Sequence, residues 1–197
     1  MSICIKDDKT VDDRQIYKVN VAGIERDLPL FEVAPGVRIA IINILGDTEL
    51  VEAVARDLAM KLANHNPEVL ITAEAKSIPL VHAMSVLMDL PYVVLRKDYK
   101  PYMGEAVRAE TLSITTGKPQ VLYLDEKDRN LITHRRVALI DDVISTGSTL
   151  QAMHEIMRLA EVEIVAEAAI FTEGDKAKWS NVIALGHLPV FTDDKDE

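Results

Sequence analysis

Two adjacent aspartates, Asp141 and Asp142, stand between an apolar run and a turn of small hydroxyl residues. The apolar run, residues 137–140 with Val143 beyond the acids, is typical of a strand buried on both faces of a parallel sheet. Ligands of such sheets gather at the carboxyl ends of the strands, where the two aspartates are predicted to lie. The pattern therefore predicts a polar ligand beside a pair of carboxylates.

The turn that follows the acids has the residue types of a phosphate-binding site. We call it the phosphate turn, and its residues are Ser145, Thr146, Gly147, Ser148 and Thr149. Apolar side chains then recur three and four residues apart, which predicts a helix with one buried face. A loop that enters a helix presents free backbone N–H groups and the positive end of the helix dipole. The glycine permits close backbone approach, and the hydroxyls add donors.

The two carboxylates cannot be ligands of the phosphate itself, because both are anionic. They suit the two hydroxyls of a diol, which donate hydrogen bonds, or a divalent cation with oxygen ligands. A phosphate beside a diol describes a ribose 5-phosphate. Two other readings stay open: an ordinary strand, loop and capped helix, or an acidic metal site of another α/β family. The sequence contains no G-x-G-x-x-G motif, and Gly117 and Lys118 lack the upstream glycine of a P-loop.

Residues 137–150, VALIDDVISTGSTL, resemble the phosphoribosyl-pyrophosphate signature of the type I phosphoribosyltransferases. The resemblance implies that Asp141 and Asp142 are the catalytic pair and hold the 2′ and 3′ hydroxyls of the ribose. It implies that the phosphate turn wraps the 5-phosphate. It also implies Mg²⁺, bound with phosphoribosyl pyrophosphate, at the same two aspartates, directly or through water.

Earlier segments are similar in order and spacing to the adenine and xanthine members of that family: APGVRIAIINILGDTEL, TAEAKSIPL and VVLRKDYKPYMGE. The resemblance implies a pyrophosphate loop, formed by Ala75, Lys76 and Ser77. It further implies a basic cluster that contacts the substrate phosphates, formed by Arg96, Lys97 and Lys100. Cations close to the acids suit a strongly anionic substrate. From the residues alone, the basic cluster could equally be a solvated strand end.

The remaining patterns predict the fold. Strands are predicted at residues 68–73, 92–97, 137–140, 163–171 and 182–185, with helices near 51–62, 78–90 and after 150. The predicted class is α/β, with a mostly parallel sheet of about five strands and helices on both faces, as in the type I phosphoribosyltransferases. A single domain over residues 1–197 is expected, with residues 1–45 as a small N-terminal hood and residues 100–136 as a flexible arm.

The arm contains two β-rich runs, residues 111–116 and 121–125, on either side of a Gly-Lys-Pro sequence, which predicts a hairpin. The resemblance implies that this mobile β-hairpin arm folds over the site and excludes water, which would otherwise hydrolyse an activated ribosyl cation. Adenine-specific members carry a glutamate-tyrosine pair where this chain has Thr115 and Thr116. The base and the proton-transfer residue therefore stay open. Nearby acids that could substitute are Glu105, Glu110 and Asp125.

Composition limits the function classes. Of the 197 residues, 32 are acidic and 22 are basic, which gives a net charge of −10. This charge argues against binding to a DNA or RNA backbone. No apolar run reaches the length of a membrane span, and the N-terminus lacks the plan of a signal peptide. The single cysteine, Cys4, cannot form an intrachain disulfide. A cytoplasmic protein without nucleic-acid or membrane partners is expected.

The predicted function is a purine phosphoribosyltransferase of purine salvage, with an adenine-like base. A purine ring nitrogen attacks C1 of phosphoribosyl pyrophosphate, which yields a nucleoside monophosphate and pyrophosphate. Residues 173–175 are a candidate base pocket, and the resemblance implies a homodimer. The alternatives are a non-catalytic regulator that binds phosphoribosyl pyrophosphate and a pyrimidine or orotate phosphoribosyltransferase.

Overall fold

The computed structural model describes residues 15–112 and 119–193, and Thr115 and Thr116 lie outside these ranges. The helices and strands, in chain order, are β1 (Ile16–Val21), β2 (Ile24–Ala34), β3 (Val37–Ala40), α1 (Thr48–Leu62), β4 (Val69–Ala73), α2 (Ile78–Met88), β5 (Tyr92–Leu95), β6 (Val107–Leu112), β7 (Pro119–Leu124), α3 (Glu126–Ile132), β8 (Arg136–Ile144), α4 (Ser148–Leu159), β9 (Glu163–Glu173), β10 (Ile183–Leu188) and β11 (Val190–Thr192). Short 3-10 helices cover Ala63–His65, Pro101–Met103 and Lys176–Trp179.

The main sheet has five parallel strands in the order β10-β9-β8-β4-β5. Its central strands are apolar, and every residue of β4 is buried. Strands covered on both faces have this composition because neither face meets water. The predicted α/β class and the parallel sheet are confirmed. All five carboxyl ends reach one edge of the sheet, which is where β8 carries its two aspartates.

Helices cover both faces of this sheet. α1 and α2 pack on one face, where Leu58 and Leu80 share a buried cluster with Ile170. α4 covers the other face, where Ile156 joins Leu139 in a second buried cluster. Neighbouring strand residues enter different clusters because successive side chains point to opposite faces. Within the described ranges, none of the helices has both the length and the apolar character needed to cross a membrane.

The hood is an antiparallel sheet of four strands in the order β1-β2-β3-β11. Its last strand comes from the other end of the chain, with Phe191 paired opposite Arg38 of β3. The rings of Phe191 and Tyr17 meet edge to face at 5.3 Å, and both pack against the buried cluster under α1. The sequence predicts an N-terminal hood but not its C-terminal strand, because no local pattern reveals a partner so distant in the chain.

An ion pair joins the hood to the start of α1. The Arg26 guanidinium donates to both carboxylate oxygens of Asp47, at 2.7 and 2.8 Å, and to Glu49 at 2.8 Å. Asp47 also caps α1, since it accepts the Leu50 N–H at 3.2 Å. Hydrogen bonding from Arg26 holds the pKa of Asp47 below its ordinary value. The hood is thereby fixed to the N-terminal end of α1.

The predicted hairpin is present as the antiparallel pair of β6 and β7. β6 begins at Val107, earlier than the β-rich run suggests, and residues 113–118 between the strands lie outside the described ranges. Tyr123 exchanges backbone hydrogen bonds with Arg96, which attaches the hairpin to the end of β5. α3 was not predicted, although Asp125 caps it by accepting the Lys127 N–H at 3.1 Å.

Candidate active site

The acid pair lies at the carboxyl end of β8, which continues through both acids to Ile144. The Asp142 side chain is buried, and Asp141 is half-buried. The Asp142 N–H donates to Asp141 Oδ1 at 2.9 Å. The Ser77 hydroxyl donates to Asp141 Oδ1 at 2.8 Å and lies 3.4 Å from Asp142 Oδ1. The two acids therefore meet a residue of the predicted pyrophosphate loop.

That loop follows β4, the strand adjacent to β8 in the sheet. Lys76 Nζ lies 3.7 Å from Asp142 Oδ2, an ion pair without a close hydrogen bond. Asp142 Oδ2 is buried and has no hydrogen-bond partner among the described residues. Buried polar atoms normally have partners. This oxygen is therefore a candidate contact for a ligand or cation that approaches the acid pair.

Burial is the main reason why the pKa of Asp141 is raised, to about 7, and the negative charge of Asp142 adds to it. The Ser77 hydroxyl and the Asp142 N–H act in the opposite direction, because both stabilise the carboxylate. At neutral pH Asp141 is therefore close to half protonated. Hydroxyl donors or a cation at this position would favour the fully ionised pair.

The basic cluster is only partly available to a ligand. Arg96 forms an ion pair with Glu74, at the start of the loop after β4, and the Lys97 N–H donates to the same carboxylate at 2.9 Å. Lys97 and Lys100 have exposed side chains. The resemblance to the family implies that all three cations bind phosphate, whereas in the structure the Arg96 side chain is paired with Glu74 of the loop. Glu74 therefore links the basic cluster to the loop that reaches the acids.

The phosphate turn leads into α4 with the expected geometry. Gly147 stands at the N-cap position with φ of 83°, in the left-handed region that glycine adopts without strain. Gly147 has no side chain to cap this helix end, and the Ser148 N–H makes only a long hydrogen bond to Thr146 Oγ1, at 3.4 Å, so the N–H groups of the first turn are largely open to a ligand. A cavity of about 30 Å³ is lined by Asp141 and by residues 143–150. Asp141 and the phosphate turn therefore border the same small space, which has room for a group of about the size of a water molecule.

Two residues that support the phosphate turn were missed. A Cβ atom on Gly147 would lie 2.5 Å from Trp179 Cη2, so the indole ring occupies the space beside the glycine. The indole N–H donates to the Glu173 carbonyl at 3.1 Å, and Lys178 Nζ donates to the Thr146 carbonyl at 2.9 Å. From the sequence, Trp179 could equally be packing. No local signal links these residues to a turn so far away in the chain.

The predicted base pocket, residues 173–175, has mixed properties. Glu173 is buried, which raises the pKa of its carboxyl group. Asp175 is exposed and caps the short helix by accepting the Ala177 N–H at 3.0 Å. A cavity of about 440 Å³ lies next to this segment, and its lining includes Thr172, Trp179 and His187. The neighbouring side chains, rather than the three predicted residues, form this concavity.

The acids proposed as proton-transfer substitutes have other partners. Glu110 pairs with Arg108, and buried Asp125 caps α3. The Glu105 N–H donates to Glu126 at 2.9 Å. These contacts engage the carboxylates of Glu110 and Asp125, whereas the Glu105 contact is made by its backbone N–H and not by its carboxylate. The proton-transfer residue stays open.

A family model described as the phosphoribosyl transferase domain matches residues 42–184. The chain belongs to the phosphoribosyltransferase family. The resemblance in the acid pair and the phosphate turn is thus confirmed at the level of the family. Because the matched range begins after β3 and ends within β10, it contains every residue predicted for the site.

Related sequences and structures agree with the family. Hypoxanthine/guanine phosphoribosyltransferase of Methanothrix soehngenii is 33% identical over 130 residues, and that of Methanosarcina mazei is 31% identical over 131. Each alignment covers 66% of this chain and 65% or 64% of the relative, so it spans slightly less than two thirds of the relative's length.

Solved structures of the family share the fold. Adenine phosphoribosyltransferase of Thermoanaerobacter pseudethanolicus aligns with a TM-score of 0.63 at 17% identity, over 87% of this chain and 95% of that chain. The enzyme of Trypanosoma brucei, solved in complex with AMP, pyrophosphate and ribose-5-phosphate, aligns with a TM-score of 0.61 at 20% identity, over 87% and 76%.

Proposed function

We propose that this chain is a purine phosphoribosyltransferase that transfers ribose 5-phosphate from phosphoribosyl pyrophosphate to a purine. One observation carries the proposal: Asp141 and the phosphate turn line the same small cavity. The cavity has room only for a group of about the size of a water molecule, so most of a ribose 5-phosphate would lie at its mouth, with hydroxyl donors toward Asp141 and the anion toward the turn. The ligands named for the Trypanosoma brucei enzyme of this fold support the same substrate class.

In the proposed reaction, a purine ring nitrogen forms a bond to C1 while the bond from C1 to pyrophosphate breaks. The bonding electron pair leaves with the pyrophosphate, and the purine proton passes to solvent. The acid pair fixes the ribose hydroxyls and lies near the positive charge that develops on the ring. Lys76 and the exposed cations Lys97 and Lys100 stabilise the departing anion. The phosphate turn holds the other end, so that C1 stays aligned.

The residues fit Mg²⁺ brought in with the substrate. Among the described residues, no group of three or more His, Cys, Asp and Glu side chains could hold a metal alone. The acid pair provides two carboxylates, and Asp142 Oδ2 has no hydrogen-bond partner among the described residues. Mg²⁺ commonly binds to one or two carboxylates together with substrate phosphates. We propose Asp141 and Asp142 as its protein ligands. When bound, Mg²⁺ neutralises charge on the pyrophosphate.

The identity of the purine base is a separate part of the proposal. The order of the early segments favours an adenine-like base, whereas the sequence relatives quoted above are named hypoxanthine/guanine phosphoribosyltransferases. A 6-oxopurine is therefore the second candidate. An activity assay with phosphoribosyl pyrophosphate and a panel of bases separates the two purine candidates from a pyrimidine enzyme. The panel contains adenine, hypoxanthine, guanine, xanthine, uracil and orotate.

Assembly and location also remain proposals. We propose a homodimer in the cytoplasm, without nucleic-acid or membrane partners. The net charge of −10 supports the absence of nucleic-acid binding. Light scattering after gel filtration measures the mass in solution. A monomer at working concentration would contradict the dimer without affecting the proposed reaction.

Turnover tests the function. Pyrophosphate release and nucleotide formation are measured for the wild type, the double variant Asp141→Asn with Asp142→Asn, and the control Asp128→Asn. Asp128 is a partly buried acid of α3, so the control removes a carboxylate outside the proposed site. The double variant should lose at least about a hundredfold in kcat/KM, since two charged hydrogen-bond acceptors disappear. Near-normal turnover in the double variant would reject the role of the acid pair, and binding without turnover by the wild type would favour the regulator.

A further inference from the structure

One face of the hairpin meets the start of α4. In the register of β6 and β7, Ala109 is opposite Leu122, and Thr111 is opposite Gln120. Opposite residues of an antiparallel pair, and residues two apart on a strand, have side chains on the same face. Ala109 and Leu122 are buried in the cluster that contains Leu150 of α4. The apolar pair thus packs on α4, and the polar pair lies one step further along, beside the phosphate turn.

The polar pair makes two different hydrogen bonds to the phosphate turn. Thr111 Oγ1 donates to the Ser148 carbonyl at 3.2 Å. Gln120 Nε2 donates to Thr149 Oγ1 at 2.9 Å. The first bond ends on the backbone and attaches the hairpin to α4. The second ends on a hydroxyl in the turn that is proposed to bind phosphate.

The second bond determines what the Thr149 hydroxyl can do. A threonine hydroxyl has one proton and two lone pairs, and it rotates to suit its partners. Because the Gln120 amide N–H occupies a lone pair, the hydroxyl proton is directed away from Gln120. It is then available to a second acceptor. Thr149 lies in the first turn of α4, where the open N–H groups also favour an anion.

We propose that Gln120 is a positioning residue, which holds the Thr149 hydroxyl as a hydrogen-bond donor toward a phosphate bound in the turn. The inference rests on the proposed function, since the anion is the 5-phosphate of the ribose. It gives the hairpin a role in phosphate affinity, separate from the exclusion of water that the resemblance to the family implies. The hairpin acts on the ligand through Thr149.

Binding of ribose 5-phosphate by titration calorimetry tests this role. Gln120→Met removes the N–H donor and keeps the length of the side chain, so binding should weaken roughly fivefold. Gln120→Glu should weaken it more than about tenfold, because a carboxylate can only accept, draws the Thr149 proton to itself and adds a negative charge. In a Thr149→Val background, Gln120→Met should have no further effect, since there is no hydroxyl to orient.

Thr111→Val is the matched control. It removes a hydrogen bond of the same hairpin to the same turn without changing Thr149, and its affinity should stay within about twofold of the wild type. Thermal unfolding of each variant shows that the fold is retained. Wild-type affinity in Gln120→Glu, or an equal loss in Thr111→Val and Gln120→Met, would overturn the inference. If the wild type fails to bind ribose 5-phosphate, the proposed function falls as well; if it binds and Gln120→Met is unchanged, only this inference falls.

Discussion

Replacing Asp141 by asparagine should stabilise the folded protein at and above neutral pH. Burial, followed by the charge of Asp142, raises the pKa of Asp141 from 3.8 to about 7. The folded protein therefore holds a proton at pH values where the unfolded chain has released it. The stability that this protonated carboxyl contributes is fully present below the unfolded pKa and is lost as the pH rises through the folded pKa. Asparagine cannot ionise, so it does not incur this loss.

The structure sets the size of the effect. One pKa unit corresponds to about 1.4 kcal/mol, and the rise to about 7 therefore gives a ceiling of about 4 kcal/mol. The asparagine oxygen can still accept from the Ser77 hydroxyl, but the amide is a weaker acceptor than a carboxylate. We therefore expect the free energy of unfolding of Asp141→Asn to exceed that of the wild type by about 1–3 kcal/mol near pH 8. The difference should shrink toward zero near pH 4.

Urea unfolding followed by the fluorescence of Trp179 measures this difference between pH 4 and 8. Asp175→Asn is the control, because Asp175 is an exposed helix cap and asparagine caps equally well. A lower stability of Asp141→Asn than of the wild type at pH 8 would refute the electrostatic reasoning. So would a difference that does not change with pH. Either result would mean that burial and the charge of Asp142 do not oppose the ionisation of Asp141 in the folded protein.

Two further predictions concern the phosphate turn. Gly147→Ala should lower the free energy of unfolding by more than about 2 kcal/mol, because it adds a clash with Trp179 to the strain of a positive φ. Gly23→Ala is the control, because Gly23 has a φ of 77° but open space around it. In the same urea titration, its free energy of unfolding should fall by only about 1 kcal/mol. Lys178→Met should raise KM for phosphoribosyl pyrophosphate roughly fivefold or more with little change in kcat, because it removes a cation and the hydrogen bond to the Thr146 carbonyl. Steady-state kinetics measure both constants, and an unchanged KM would show that Lys178 does not support the phosphate turn.

The part of the site that lies within one short segment of the chain could be predicted from the sequence. The strand, the acid pair and the phosphate turn are contiguous in residues 137–150, and their order alone places the ligand at a strand end. The parallel sheet follows for the same reason, since unbroken apolar runs such as β4 belong to strands buried on both faces. Local patterns of this kind do not depend on how distant segments meet.

Contacts between distant segments could not be predicted. Trp179 and Lys178 reach the phosphate turn only because β9 returns beside β8. Arg96 and Glu74 are joined because β5 and β4 are neighbours, which the residues themselves do not show. β11 completes the hood from the opposite end of the chain. In each case the partner is chosen by the path of the backbone, and the side chains carry no spacing signal.

Discrimination between two sugars tests most directly whether the acid pair and the phosphate turn bind one ribose 5-phosphate. Titration calorimetry compares ribose 5-phosphate with 2-deoxyribose 5-phosphate, which lacks one hydroxyl. The wild type should bind the ribose compound roughly tenfold or more tightly, because a hydrogen bond to a carboxylate is worth about 1.5–3 kcal/mol. The variant with Asp141→Asn and Asp142→Asn should lose most of this preference. Equal affinity of the wild type for both sugars would contradict the placement of the ribose hydroxyls on Asp141 and Asp142.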